Sequence, residues 1–444
     1  MGIIVSKDKV LKLITYCIGC QQFPVINIFG CFKSYELLGL FLLSKFKWQY
    51  KSCLFSNGAF IFFVLSPIIS FIFSFFIGRP ESYYQLYPDA IGSIKYDSVI
   101  FPLLQTIFMM LNFVVLSQLV QNKLYFQQFD IIRKNLIYIG TFIAFCSLFN
   151  MFVFDFFQYL PSIIQNKHHY DFRSSGFSIE PSSYVLYQTW ITLFTYYSKE
   201  LFRKNTWRVF MFINILSLVL TISSTLAALA GILVITPFVC RFKFSQRLSA
   251  GFLISLGAAG LIYLCFYSEY SQFFTYFLIE KIENLFTATD HTLDSGAFRA
   301  YTSRIGIEIF KDYPLWGVGV GNSPYYMHNY DAQMGIVEYG ETLNNTTTPL
   351  NLISCILAEQ GILGGIGLFC MLWAVARGIW KYRNQKPFGH LFFIGCLFNF
   401  VIFTTCPTAY SMYLWLFMAI TIGFIKNRQE YIHENSNRLS LVRK

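Results

Sequence analysis

Charge is what this sequence has least of. Only 13% of its 444 residues are Asp, Glu, Lys or Arg, against 55% hydrophobic and 20% aromatic, and the mean hydropathy is +0.49. No water-soluble core of this length needs such an excess, so a soluble globular protein is excluded. Loop cysteines are lacking too. The eleven cysteines lie almost all in or beside apolar runs, which excludes a disulfide framework and reads as small hydrophobes. Cys17-Ile-Gly-Cys20 has redox or metal spacing, but no histidine or second cysteine pair stands near it in sequence, so no metal site is expected. The basic amino terminus is followed by no A-x-A cleavage signal, and residues 10–32 are expected to be a retained first span. Met1-Gly-Ile-Ile-Val-Ser6 fits the myristoylation pattern, yet an acyl group adds nothing to a chain held by many spans. No internal repeat is visible, which argues against an inverted-repeat transporter.

What is present is a series of apolar runs, each near the length of about 20 residues that a bilayer requires. A β-barrel does not read this way, so the expected fold is an all-α integral membrane protein of about twelve transmembrane helices. The expected spans are residues 10–32, 35–43, 54–77, 99–120, 136–160, 184–202, 209–222, 225–239, 251–267, 350–380, 391–406 and 410–425, in one polytopic domain over residues 1–444. The net charge of +11 is not a nucleic-acid footprint, because the basic residues recur in small groups after every second apolar run. With a cytoplasmic amino terminus, 25 of the 34 fall on inside segments, so both termini are expected in the cytoplasm and the long interval 268–348 outside.

That interval holds the candidate chemistry, together with the shorter outside segment 161–183. Residues 269–286 have an apolar face of Phe274, Leu278, Ile282 and Leu285, opposed by Glu269, Glu280 and Glu283, as in an interfacial helix. A second helix is expected over 296–313, capped by Asp294 or Ser295, with Arg304 and Glu308 four residues apart and able to pair. Arg299 has no acid at i+4 and is available for an anion. Gly317-Val-Gly-Val-Gly321 reads either as a phosphate cradle built on Gly317, Gly319 and Gly321 or as a tight turn. It lacks the strand and lysine of a nucleotide site. His328 is a base or a surface residue. Glu359 lies within an apolar run two turns beyond Asn351, where an acid defaults to a functional or pairing role; Asp155 shares that logic near the edge of its span. Arg173 stands just before a span, with Glu180 as its nearby acid, and an arginine fork there suits a lipid pyrophosphate.

These residues occur in a familiar order. Arg173-x-x-Gly-Phe-x-x-Glu-Pro-Ser, then Arg299, then Pro314-x-x-Gly-Val-Gly-x-Gly, then Asn351 followed by Ala-Glu-x-Gly-Ile-Leu-Gly364, resembles the O-antigen polymerase and O-antigen ligase superfamily. The resemblance implies a glycosyltransferase at the periplasmic face of the bacterial inner membrane, using undecaprenyl-pyrophosphate-linked glycans and no cofactor or metal. It further implies that Arg173 and Arg299 bind the diphosphates as catalytic groups. Glu180, Arg304, Gly317, Gly319, Gly321, His328, Asn351 and Glu359 fall on or between the matched motifs as candidate substrate contacts. Expected partners are the lipid-linked glycan, membrane lipid, and a chain-length regulator and flippase of the same pathway, with no nucleic acid. Two positions depart from the pattern. Ligases carry a histidine where this chain has Leu350, and a Ser-Arg pair where it has Ser223-Ser224. The departures favour a polymerase; the alternatives are a ligase acting on lipid A-core and a polysaccharide-lipid flippase or transporter.

Overall fold

In the computed structural model, the described residues are 6–27, 31–45, 53–80, 99–153, 159–165, 173–178, 181–221, 223, 225–240, 295–333, 347–404 and 411–442. The expected span over 251–267, the amphipathic helix over 269–286, Asp155 and Glu180 lie outside them.

The chain opens with α1 (Lys7–Cys17), a short hairpin of β1 (Val25–Asn27) and β2 (Cys31–Lys33), and α2 (Ser34–Lys45). It continues through α3 (Leu54–Ile77), α4 (Ile100–Gln121), α5 (Lys123–Gln127) and α6 (Phe129–Phe152). Next come α7 (Pro181–Tyr196), α8 (Lys204–Val219) and α9 (Thr225–Val239). Two helices of the long interval follow, α10 (Ser295–Asp312) and α11 (Ser323–Gln333). The last three are α12 (Leu352–Tyr382), α13 (Gly389–Ile402) and α14 (Tyr413–Val442). Among the described residues only the hairpin is sheet. The all-α expectation holds.

Among the described residues four helices, α3, α4, α6 and α12, are long and apolar enough to cross a membrane; residues 34–43, 228–239 and 389–402 form shorter apolar helices. Their surfaces are inverted relative to a soluble protein. Phe76 is 81% exposed, Phe142 61% and Phe369 66%, while Gln105, Thr106, Asn112, Ser117 and Gln118 of α4 are buried. Lipid, not water, is the solvent such faces fit. The main core packs Trp190, Trp415, Phe62, Phe63 and Phe417 between spans, with the Trp190 ring stacked on Phe417 at 5.0 Å and its Nε1 donating to Asn399 Oδ1 at 2.8 Å.

The first expected span is corrected. Helix α1 stops at Cys17, because the next backbone donors are taken by a distant loop: the N–H groups of Gln21 and Gln22 both donate to the Phe177 carbonyl, at 3.0 and 2.8 Å. The segment still runs from one end of the bundle to the other, since near its start Asn122 Nδ2 donates to Asp8 Oδ1 at 2.5 Å. In α2 the acid Glu36 is accounted for locally, accepting from the Lys33 N–H at 2.9 Å. The end that holds Asp8 also collects Arg133, 1% exposed, donating to Asp130 and Glu200, and Arg428, donating to Gln385. At the opposite end Ser174 N–H donates to the Leu220 carbonyl and Leu352 N–H to that of Phe403, both at 2.9 Å.

Candidate functional site

Beyond its first turn, helix α3 is apolar except for Ser66, Ser70 and Ser74, which recur every fourth residue and so share one face. Buried hydroxyls need partners, and those of Ser66 and Ser70 lie on α12. Ser66 Oγ donates to Gln360 Oε1 at 2.5 Å, and Ser70 Oγ donates to the carbonyl of Glu359. Ser74 packs beneath Gly319.

At this height α12 is broken. Gly361 has φ 63° and ψ −160°, which interrupts the helical hydrogen bonds around it. The segment 313–322 closes the gap: Val318 N–H donates to the Ala358 carbonyl at 2.9 Å, Gly319 N–H to that of Glu359 at 3.0 Å, and Ile362 N–H to that of Pro314 at 2.8 Å. A broken span persists in an apolar environment only where the freed groups are satisfied in this way. The transporter reading expects a broken helix and the sequence shows no sign of one, so the break is a correction. Its freed groups are closed by protein. Contact is too close for any side chain at Gly317, where a Cβ would lie 2.3 Å from the Glu359 carbonyl carbon.

The glycine run therefore surrounds a carboxyl group of the protein itself. Glu359, 6% exposed, accepts from Ser323 Oγ at 2.7 Å and from the backbone N–H groups of Gly321 and Ser323. Ser323 opens α11, whose amino-terminal dipole favours a negative charge. The N–H groups of Gly317 and Gly319 are both engaged by carbonyls. Of the two readings left open for this run, the geometry fits a turn that clamps Glu359, and leaves these amides no phosphate to hold.

Around this clamp α10 and α11 form a second core of Tyr301, Ile305, Ile309, Val318, Tyr325, Tyr326, Met327 and Tyr330 with Ala358. Arg299 is half-buried near the start of α10. Thr302, one turn on, accepts the Leu350 N–H on its Oγ1 at 3.3 Å, so the fold brings Arg299 to the segment that starts the final motif. Asn351 is the amino-terminal cap of α12, its Oδ1 accepting from Ile353 and Ser354 N–H at 2.9 and 3.4 Å. The Arg304 and Glu308 pair is corrected. Glu308 binds Lys311 Nζ at 2.7 and 2.9 Å, and Arg304 is exposed. Both choices satisfy helical spacing, and the i+3 partner is taken.

His328 is half-buried on α11, and desolvation holds its imidazole below the ordinary histidine range, hence neutral near pH 7. Its helix is tied to the far end of α10: Tyr330 OH donates to Asp312 Oδ2 at 2.5 Å, and Tyr326 packs on Tyr313 at 5.7 Å. Arg299 precedes Asp312 by thirteen residues, about 20 Å along the axis. These contacts tie the helix of His328 to the end of α10 away from Arg299.

Arg173 is exposed at the head of a tightly anchored segment. Ser174 Oγ bonds Ser147 Oγ at 2.8 Å and Ser217 Oγ at 2.9 Å, and Gly176 N–H donates to Ser147 Oγ at 2.9 Å. With the bond to Leu220, these contacts set Arg173 beside the turn after α8, which contains Ser223. The Ser-Ser-Gly-Phe that follows Arg173 is thus its mooring. Arg173 and Arg299 lie at the same end of the bundle.

Sequence reasoning missed Arg79. Just past α3, its guanidinium lies over the Tyr325 ring, 3.5 Å from the centroid, and donates to Asn322 Oδ1 at 3.1 Å. Tyr326 OH donates to the adjoining Gly78 carbonyl. In sequence Arg79 was only a charge outside a span; its signal is the aromatic pair Tyr325-Tyr326, which sits 246 positions away.

The fold and site together define a helical membrane protein in which α10 and α11 are seated on a broken span. Residues 209–369 match the family model described as O-antigen ligase, so this part of the chain is similar to that family. The match runs from α8 to just past the break in α12, taking in Arg299, the glycine run and Glu359. A glycosyl-transfer type of activity on a lipid-linked polysaccharide goes with that family. No curated protein matches the chain.

Proposed function

We propose that the protein is a polysaccharide polymerase of the O-antigen type. A growing chain on its undecaprenyl diphosphate is transferred to a second lipid-linked repeat at the periplasmic face of the inner membrane. In this reaction the acceptor hydroxyl oxygen bonds to C1 of the donor sugar and the C1–O bond to diphosphate breaks. The hydroxyl proton leaves to a base or to the released diphosphate, and no electrons change hands. Arg299 and Arg173 neutralise charge that grows on the leaving diphosphate, which is where fixed cations accelerate such a step most. The observation that carries the reading is the Thr302–Leu350 bond: it sets the turn of Arg299 against the position where ligases carry histidine, and that position is apolar here.

The reading places residues 268–348 outside as one loop of a single polytopic domain. The gathering of Asp8, Arg133 and Arg428 ends of helices at one pole, with Lys7, Lys9, Lys12, Lys123, Lys134, Lys199, Arg203 and Lys204 on the same segments, supports a cytoplasmic location for that pole and for both termini. A chain-length regulator and a flippase would be its pathway partners.

In this reading His328 is not the base for the transfer, which is supported by the contacts that tie its helix to the far end of α10. His328→Ala is expected to keep most of the polymer ladder, whereas loss of a positioned general base costs about a hundredfold or more. A normally inserted variant that yields single repeats only would make His328 the base. The overall test is the surface polysaccharide of cells lacking the protein. Loss of the ladder with one capped repeat retained is the polymerase result; loss of all capping identifies a ligase.

A further inference from the structure

A polymerase of this kind holds two lipid diphosphates at once. The donor's diphosphate is attached to the reacting carbon. The acceptor reacts at its non-reducing end, so its own diphosphate lies one oligosaccharide repeat away. Two cationic places are required, separated by a short glycan, and each must adjoin a surface that accepts a polyprenyl chain.

The two ends of α10 meet that description. Arg299 lies near its start, and Arg79 lies beside its finish, where Tyr326 spans from Tyr313 to the Gly78 carbonyl. The stretch of α10 between them is about 20 Å long, the rise of thirteen helical residues. Arg79 is partly exposed and already oriented by the Tyr325 face and Asn322 Oδ1. Little side-chain freedom remains to be lost when a planar guanidinium so held meets a diphosphate.

Below Arg79 is an apolar face with an unusual member. Ile72, Phe75 and Phe76 of α3 are exposed, and from the otherwise extramembrane segment Leu315 joins them, 57% exposed. Leu315 abuts the break at Gly361, next to exposed Ile362, and Trp316 stacks on Phe73 at 4.9 Å and 11°. The chain thus inserts a Leu-Trp pair between two spans, directly under a fixed cation. A polyprenyl diphosphate has the matching polarity, an apolar chain ending in a compact anion.

Resting on the polymerase reading, we propose that Arg79 and the face of Ile72, Phe75, Phe76, Leu315 and Ile362 bind the second carrier lipid, the polyprenyl diphosphate of the acceptor, while Arg299 serves the donor. The site is specific for a lipid diphosphate over membrane phospholipid.

The test uses the full-length protein in nanodiscs and a diazirine-bearing polyprenyl diphosphate without sugar. Crosslinks to the peptides containing Phe76 and Leu315 are expected, displaced by unlabelled polyprenyl diphosphate and not by phosphatidylglycerol. Arg79→Gln should weaken the competition about tenfold, the worth of one charge-assisted contact, and Arg79→Lys should restore part of it. Arg299→Gln should leave this crosslink in place, which also reports that the preparation is folded. Equal displacement by phosphatidylglycerol, or unchanged competition in Arg79→Gln, overturns the inference and leaves an ordinary lipid-covered face. The ladder assay judges the polymerase reading separately. A chain that makes no polymer in cells but retains the Arg79-dependent crosslink would remove that reading and keep the lipid-diphosphate site.

Discussion

Arg299→Ala is expected to abolish polymer formation while the protein still inserts in the membrane in normal amount. A charge-assisted hydrogen bond to phosphate in a poorly hydrated groove contributes about 1.5–3 kcal/mol, and roughly 1.4 kcal/mol is a tenfold rate effect when the contact strengthens in the transition state. An arginine fork makes two such bonds, so a loss of about a hundredfold or more in transfer rate is expected. Arg173→Ala should have a similar effect, because its segment is moored by Ser147, Ser174 and Ser217 and the exposed side chain bears little of the packing. Lysine at either position should rescue only in part, keeping the charge and losing the fork. Arg304→Ala is the internal comparison. Exposed on the same helix and apart from the Glu308–Lys311 pair, it should cost little. A long-chain polysaccharide assay that finds Arg304→Ala inactive and Arg299→Ala near normal would reverse the roles.

The contrast between these arginines shows what could be read from sequence. The spans α3, α4, α6 and α12 were legible because each carries a predominantly apolar stretch near the length a bilayer demands. The end of α1 was not, since its cause is a carbonyl at Phe177, far along the chain. Spacing correctly marked Glu308 as paired but not with whom, because helices offer partners at both i−4 and i+3. The glycine run was legible as special backbone. Which group it serves depended on Glu359, which docks there only because α12 breaks at Gly361. Ser66, Ser70 and Ser74 of α3 were visible all along, and an apolar background concealed that their period of four faces a neighbour. Arg79 was counted as charge and not as geometry.

The docked break makes its own prediction, which separates architecture from chemistry. Gly361→Ala places a Cβ 2.5 Å from the Leu315 carbonyl carbon and oxygen, at a φ of 63° and ψ of −160° that essentially only glycine adopts. The backbone strain alone is about 1–3 kcal/mol. Relief by shifting Leu315 would pull Pro314, Val318 and Gly319 from the backbone groups of residues 358–362, leaving amides and carbonyls unsatisfied in an apolar setting at about 1–3 kcal/mol each. The total destabilisation should therefore reach several kcal/mol, among the larger effects a single residue produces. Gly231→Ala in α9 is the control. Nothing lies within 4 Å of its added Cβ, and a helical glycine exchanged for alanine is expected to gain about 0.5–1 kcal/mol. In detergent, the melting temperature should fall markedly for Gly361→Ala and hold or rise for Gly231→Ala, and proteolysis near residues 313–322 should accelerate only in the former. Equal melting of the two variants, with the ladder intact in both, would show that the glycine run is not what closes α12, and the clamp on Glu359 would lose its structural basis.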